Sequence, residues 1–175
     1  MKLKTQDLAK IGLLSALCMV ATFIKIPFGQ AMIHLGSAAI FTTGILFGGK
    51  YAGFAGALGS TLFDILMGMS AYTLWSFVIK GISGFLVGTI SNDKNLIIWS
   101  NKGHTYIRTM IKNIVAILIA SLWTLIGYII AWTVVLENFE VALANIPASL
   151  LSSGLGLIVA IPLSALLKKT LNKYI

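Results

Sequence analysis

Long apolar runs recur along the whole chain and decide what it can fold into. Of the 175 residues, 58% are hydrophobic and 10% are charged, whereas about a quarter of an average soluble domain is charged. A run of about 20 apolar residues is long enough to cross a bilayer as a helix. Because backbone polar groups in lipid must be bonded within the protein, we predict an all-α membrane protein, with residues 1–175 in one domain.

The apolar runs predict six transmembrane helices, at about 6–25, 34–48, 50–68, 72–91, 108–136 and 141–167. The second is short for a hydrocarbon layer of roughly 30 Å, and the fifth is long enough to project beyond it. An even number of spans places both termini on the same side of the membrane. The longest polar stretch is too short to bury a core of its own, so we expect no separate soluble domain.

The basic residues lie mainly on one side of these six spans. Eleven of the thirteen Lys and Arg residues flank the side that holds both termini: Lys2, Lys4, Lys10, Lys50, Lys94, Lys102, Arg108, Lys112, Lys168, Lys169 and Lys173. The positive-inside rule makes that side cytoplasmic. The formal net charge of +8 therefore reports topology first and attraction to anionic lipid headgroups second. We expect the lipid bilayer, and not a nucleic acid, as a partner.

Lys80 lies well inside the apolar run of the fourth span, and a charge at that depth is costly. Asp64, near the outer end of the third span, is its candidate partner. Their backbones would differ in depth by roughly 6 Å, a distance that a Lys side chain can cover. Two interpretations stay open. The pair either only joins two helices, or it holds an ammonium group toward a bound solute.

Other polar and aromatic side chains fall at the same outer level. They are Tyr72, Trp75 and Ser76 in the fourth span, Tyr128 and Trp132 in the fifth, and Asn145, Ser149, Ser152 and Ser153 in the sixth. Aromatic residues at a membrane interface are often only anchors. Aromatics, hydroxyls and a cation at one depth are also typical of a pocket for a flat ligand with polar edges. We predict that these residues bind a substrate together with Lys80 and Asp64.

Small residues at four-residue spacing occur in the third and first spans, and such spacing lets helix backbones approach closely in lipid. In the third span they fall between residues 49 and 60, and we interpret them as a surface for internal packing. Gly12 and Ala16 repeat the pattern in the first span. Spacing alone favours internal packing there as well, although the groove would equally suit a partner protein.

We find no motif for catalysis or for a cofactor. Residues 44–50 have the spacing of a phosphate-binding P-loop, but Tyr51 replaces the required Ser or Thr. There is no Ser/His/Asp order, no HExxH and no carboxylate-rich metal cluster, and His34 and His104 are isolated in the sequence. We therefore expect a protein that is not an enzyme, needs no cofactor and does not hydrolyse ATP by itself.

Four segments carry a resemblance to a known family: GLLSA (12–16), KIPFG (25–29), HLGSAAIFTTGILFGGKYAGFAGALGSTLFDIL (34–66) and FVIKGISGFLVG (77–88). They resemble the substrate-binding S component of an energy-coupling-factor (ECF) vitamin transporter, in the riboflavin and hydroxymethylpyrimidine/pyridoxine branch. The resemblance covers nearly the whole chain and is strongest over residues 9–90. It implies a six-helix protein of a prokaryotic cell membrane that captures a vitamin from outside.

The resemblance also implies partners and roles for residues. An S component works with a membrane T component and two cytoplasmic ATPases, and it topples in the membrane to release its cargo. Gly12 and Ala16 would then form the docking surface for the T component, which reverses the interpretation from spacing alone. In this family the first outer loop covers the ligand site, which implies that Pro27, Phe28 and Gln30 belong to the cover of the site in this chain.

The resemblance leaves the identity of the vitamin open. Family members carry Asn and Gln early in the sixth helix, facing the ligand, whereas this chain has Ser149 and Ser152 there. Riboflavin, hydroxymethylpyrimidine and pyridoxine all suit a pocket with aromatic residues and a cation.

Two alternative functions need different features. A small self-contained channel or an ion-coupled carrier would use Asp64 and Lys80 as gating or coupling charges. Carriers often contain inverted repeats, and we find no similarity between residues 1–90 and 91–175, which disfavours this alternative. A structural assembly subunit would need no pocket at all.

Overall fold

Seven α-helices make up most of the described part of the chain. The computed structural model describes residues 4–28, 31–91 and 103–174. The helices are α1 (Thr5–Phe23), α2 (Gly36–Phe47), α3 (Gly49–Leu66), α4 (Thr73–Ser91), α5 (Gly103–Leu136), α6 (Phe139–Ala144) and α7 (Ile146–Tyr174). A single 3-10 turn, Ser70–Tyr72, precedes α4. The predicted all-α class is confirmed.

Four helical stretches are long and apolar enough to cross a membrane. They are Thr5–Phe23, Ser70–Ser91, Ile107–Leu136 and Phe139–Thr170. The apolar helix Gly36–Phe47 is shorter, which agrees with the short second span that the sequence predicts. The count of six spans and the cytoplasmic side of the termini stay predictions.

The last predicted span is divided in the structure. A helix from 141 to 167 was expected, but α6 ends at Ala144 and α7 begins at Ile146. The Asn138 side chain accepts hydrogen bonds from the backbone N–H groups of Glu140 and Val141, at 2.9 and 3.2 Å, so it caps a separate short helix. Pro147 has no N–H to donate, which suits the first turn of a new helix.

A β-hairpin occupies the first outer loop, where the sequence indicated only a loop followed by a helix from residue 34. Strand β1 (Lys25–Phe28) pairs antiparallel with β2 (Ala31–His34), with Lys25 opposite His34. The N–H of Leu35 donates to the carbonyl of Ile24 at 3.2 Å and closes the base of the hairpin. This hairpin lies across one end of the helix bundle, because β2 packs against both α1 and α7.

The small residues of α3 let it pack directly against two neighbouring helices. A Cβ atom added at Gly56 would lie 2.7 Å from the carbonyl oxygen of Lys80 in α4. One added at Gly59 would lie 2.7 Å from the carbonyl oxygen of Ser15 in α1. Real Cβ atoms do not approach so closely, so only glycine permits these contacts. The interpretation of α3 as an internal packing surface is confirmed.

The apolar core fills the middle of the bundle. Phe41, Ile40, Val87 and Ile117 are each exposed by 2% or less and belong to one contacting cluster. They come from α2, α4 and α5. Close-packed side chains of this kind leave little room for water.

Replacing Gly56 by Ala tests the α3–α4 contact. The added methyl group forces the two backbones apart, and we expect Gly56→Ala to lower the free energy of unfolding by roughly 1–3 kcal/mol, as overpacking does. Thermal unfolding in detergent measures the effect. Gly154→Ala is the matched control, because a Cβ there meets no atom within 4 Å. A Gly56→Ala protein as stable as the parent would show that the helices are not in close contact.

Candidate functional site

One end of the bundle holds a cavity of about 120 Å³. An apolar cavity of roughly 150 Å³ holds one benzene molecule, so the space suits about one aromatic ring. Its wall consists of Thr22, Ala31, Met32, His34, Ser37, Ser60, Phe63, Asp64, Met69, Tyr72, Ser76, Lys80, Thr124, Tyr128, Trp132, Ser149, Ser152 and Ser153. With cytoplasmic termini as predicted, this end of the bundle faces outward.

Three helices supply cavity residues at four-residue intervals. These are Ser60 and Asp64 in α3, Tyr72, Ser76 and Lys80 across the start of α4, and Thr124, Tyr128 and Trp132 in α5. Residues four apart lie on the same face of a helix. Each helix therefore turns one polar stripe toward the cavity, and the rest of its surface packs against protein or faces outward.

Lys80 is buried, with 5% of its surface exposed. Its Nζ donates to the Ser37 hydroxyl at 3.2 Å and lies 5.3 Å from the centre of the Tyr128 ring, a cation–π distance. Gly56 packs against the backbone of Lys80 and so fixes the depth in the bundle at which the Lys80 side chain leaves its helix. The ammonium group is thus held at the cavity wall by neighbours that carry no opposite charge.

Asp64 and Lys80 line the same cavity but do not form the expected ion pair. The structure places no Lys80 nitrogen within 4.0 Å of an Asp64 oxygen, because the ammonium group turns toward Ser37 and Tyr128 instead. Asp64 is 6% exposed, and its Oδ2 atom has no hydrogen-bond partner. The structure therefore shows no direct contact that would join the two helices through this pair.

Two aromatic rings form a flat surface beside the ammonium group. Tyr128 and Trp132 are stacked, with their centroids 5.5 Å apart and their planes at 28°. The Tyr128 hydroxyl is also hydrogen-bonded to the Ser76 hydroxyl at 3.1 Å, which locks the ring of Tyr128 in place. A planar ligand could extend this stack.

His34 is a cavity residue that the sequence does not single out, because no other candidate metal ligand or catalytic residue lies near it in the sequence. Its Nδ1 accepts a hydrogen bond from the N–H of Gly36 at 3.1 Å, at the start of α2. Burial lowers the pKa of His34 to about 3, and the positive charges of Lys80 and Lys25 add to the effect. The ring is therefore neutral at physiological pH, with its Nε2–H left as a donor.

Ser152 holds the hairpin onto α7. Its hydroxyl donates to the carbonyl of Met32 and accepts from the N–H of His34, both at 3.3 Å. These two backbone groups lie on the edge of β2 that faces away from β1, where an unpaired strand leaves donors and acceptors unsatisfied. Ser152 was predicted to contact the substrate. It does line the cavity, but both of its hydrogen bonds are made to the backbone of the hairpin.

Several predicted site residues are not part of the cavity wall. Trp75 precedes Ser76 by one residue, which rotates it by about 100° around the helix and away from the stripe. Phe28 lies at the end of β1 with 41% of its surface exposed. Asn145 is 2% exposed, in the turn between α6 and α7. Gln30 lies outside the described residues.

The four-residue interval would have found two of the residues that the sequence analysis missed. Ser60 lies four residues before Asp64, and Thr124 lies four before Tyr128. No such signal marks the remaining missed residues, which tertiary contacts bring to the cavity: Thr22, Ala31, Met32, Ser37, Phe63 and Met69.

Gly12 and Ala16 lie on an open face of α1. Both are exposed, and a Cβ atom added at Gly12 would meet nothing within 4 Å. Leu13 and Leu17 beside them are 65% and 55% exposed. The opposite face of α1 supplies the buried residues of this helix. The interpretation from spacing alone, internal packing, is therefore wrong for α1.

A family model described as "ECF-type riboflavin transporter, S component" matches residues 2–169. The chain belongs to this family. The resemblance seen in the sequence is thereby confirmed, and this S component is a multi-pass membrane protein of a transport system. Members of the family are substrate-binding subunits of ECF transporters.

A curated relative of this S component comes from Pyrococcus woesei, where it is described as "Uncharacterized protein in gap 3'region". The two sequences are 35% identical over 95 residues, which cover 54% of this chain and 60% of the relative. The chain thus spans about three-fifths of the relative's length. The description of the relative names no substrate.

Replacing Ser152 by Ala tests how the hairpin of this S component is held. Loss of both hydrogen bonds should raise the rate of hydrogen exchange in the hairpin peptide by roughly 3- to 10-fold, as the free energy of one or two bonds implies. Exchange followed by mass spectrometry measures it. The control, Ser149→Ala, removes a hydroxyl from the same cavity wall and should leave the hairpin unchanged. Equal exchange in both variants would contradict this role of Ser152.

Proposed function

We propose that this S component captures a B-type vitamin or precursor from outside a prokaryotic cell, for import driven by ATP. The substrate belongs to the riboflavin, hydroxymethylpyrimidine or pyridoxine class. The cavity of about 120 Å³ suits a single ring as it stands, so the three fused rings of riboflavin would require it to widen. The observation that carries the proposal is the meeting of Lys80, Asp64 and the Tyr128–Trp132 stack in one cavity. These compounds are flat rings with polar edges, and each needs a stacking surface together with a few charged or hydroxyl groups.

The hairpin provides a cover for this vitamin site. Ala31, Met32 and His34 of β2 belong to the cavity wall, so a vitamin in the cavity would touch the hairpin directly. The hydrogen bonds between the hairpin and Ser152 hold the hairpin over the cavity and so keep the site closed. Displacement of the hairpin would open it to the outside. Capture by a mobile cover raises the residence time of the ligand, because dissociation then requires the cover to move first.

The packing beneath the cavity favours a binding subunit over the alternative of a channel or self-contained carrier. Phe41 and Ile40 follow Ser37 by about one turn of α2, and Val87 follows Lys80 by two turns of α4. These buried side chains fill the bundle between the cavity and its other end. Release into the cell would then need movement of the whole subunit, as toppling in the membrane provides.

Such movement needs partners that supply energy. We propose a membrane T component that contacts the open face of α1, and two cytoplasmic ATPases coupled to it. An equilibrium between outward and toppled states shifts only if a partner binds the two states with different affinity. ATP binding and hydrolysis in the ATPases would provide that difference. The S component would contribute the vitamin site and the docking face.

Binding can be tested with the purified protein. The compound released on denaturation is identified by mass spectrometry, and riboflavin, hydroxymethylpyrimidine and pyridoxine are each titrated. Lys80→Met keeps the length of the side chain but removes its charge, so we expect affinity for the bound vitamin to fall by roughly 10- to 100-fold. Lys50→Met, at the other end of the bundle, is the control. Unchanged affinity in Lys80→Met would remove Lys80 from the site.

Docking can be tested separately from binding. A Trp at position 12 has room in the isolated subunit, so Gly12→Trp should fold and bind vitamin normally but should fail to co-purify with the T component and ATPases. Vitamin uptake by cells that depend on the variant should fall to background. Gly154→Trp, at an equally open glycine of α7, is the control. Normal co-purification of Gly12→Trp would show that the partner docks elsewhere.

A further inference from the structure

The two faces of the hairpin differ in polarity. Residues that lie opposite each other in an antiparallel pair share a face, and the register places Lys25 opposite His34 and Pro27 opposite Met32. Met32 and His34 belong to the cavity wall, so this face is turned toward the cavity. The outward face carries Ile26, Phe28, Ala31 and Ile33, and of these only Ala31, beside the turn, also reaches the wall. The outward face is therefore apolar.

The large side chains of this outward face are not covered by protein. Ile26 is 66% exposed and Phe28 is 41% exposed. A hairpin that met water on this side would have its polar residues outside. The charged residue of β1 is instead turned toward α3, where the Lys25 ammonium group lies 5.0 Å from the centre of the Phe63 ring and 3.5 Å from the sulfur of Met67. This pattern suits an apolar surrounding.

The flanking helices place the base of the hairpin within the thickness of the hydrocarbon layer. Charged residues mark the far end of the bundle, where Asp7 forms a salt bridge with Lys50 and Lys10 is exposed. From Lys10, α1 extends for roughly 21 Å before the chain reaches Ile24. On the other side of the hairpin, α2 has 12 residues and extends for roughly 18 Å. Both lengths fall short of a hydrocarbon layer of roughly 30 Å.

The exposed apolar surface of α1 continues onto the hairpin. Val20, Phe23 and Ile24 are all exposed, and α1 is long and apolar enough to cross the membrane. Ile24 directly precedes β1 and is followed at intervals of two by Ile26 and Phe28, which places all three on one side of an extended chain. The lipid that surrounds α1 therefore also reaches this side of β1.

The backbone at the two free edges of the hairpin is compatible with lipid, where unpaired N–H groups are unfavourable. Met32 and His34 direct their backbone groups away from β1, and Ser152 bonds both. Because Pro27 lies opposite Met32, its backbone points away from β2, at the other free edge. Proline has no N–H, so this position leaves no donor unpaired.

We propose that the outward face of the hairpin, formed by Ile26, Phe28 and Ile33, contacts the acyl chains of the lipid leaflet at the cavity end of the bundle. The hairpin then has the cavity on one side and lipid on the other. Any outward movement of this cover displaces acyl chains. The inference does not depend on which solute the cavity holds.

Spin labels test this contact in the full-length protein in lipid nanodiscs, where water reaches both membrane faces. A nitroxide is attached to Ile26→Cys and, in a second variant, to Phe28→Cys. Power saturation of the EPR signal is measured with oxygen, which concentrates in lipid, and with a neutral nickel chelate, which stays in water. Leu122→Cys, on the exposed surface of α5, is the lipid reference, and Lys4→Cys, ahead of α1, is the water reference. Parent protein treated in the same way measures any labelling of the buried Cys18.

We expect both hairpin labels to behave like the label at position 122. Oxygen should relax them strongly and nickel weakly, so that the ratio of the two accessibilities exceeds that at position 4 several-fold. Labels relaxed mainly by nickel would place the outward face in water and overturn the inference. Protection from both reagents would show that a second copy or another protein covers the face, which would equally exclude the lipid contact.

Discussion

The contact between α3 and α4 is the constraint on which the site depends. Because Gly56 has no side chain, the carbonyl oxygen of Lys80 can lie only 2.7 Å from the position that a Cβ atom would take. That approach brings Asp64 on α3 and Lys80 on α4 to the same cavity without a direct ion pair. In lipid, close backbone packing replaces the hydrophobic effect as the force between helices. Gly56, which allows this packing, therefore also determines where the charged groups of Asp64 and Lys80 lie.

The site combines rigid and movable parts. The rigid part lies on the helices. The Tyr128 hydroxyl is hydrogen-bonded to Ser76 and its ring contacts the Lys80 ammonium group, which also donates to Ser37. These contacts hold the helical side of the cavity in one geometry. The hairpin is held differently, by one serine hydroxyl that replaces a neighbouring strand at the free edge of β2. A few hydrogen bonds of modest net energy suit a cover that must close over a ligand and open again.

The two ends of the bundle carry different kinds of polar contact. At the end away from the cavity, Asp7 accepts a hydrogen bond from the Tyr51 hydroxyl at 2.5 Å and forms a salt bridge with Lys50 at 3.4 Å. That carboxylate is satisfied and joins α1 to α3. Asp64 has the same chemistry but an unused oxygen. The contrast separates a carboxylate with both oxygens bonded from one whose Oδ2 atom is buried without a partner.

The sequence by itself determined the membrane class, the main helices and nine of the cavity residues, because apolar run length and an intramembrane charge leave few alternatives. Residues at four-residue intervals, such as Ser60 and Thr124, were also readable from it. Only the tertiary structure decided that Asp64 and Lys80 stay apart, that His34 enters the cavity and that Ser152 bonds the hairpin. Those outcomes depend on how helices and strands distant in sequence approach, and local spacing carries no information about that distance.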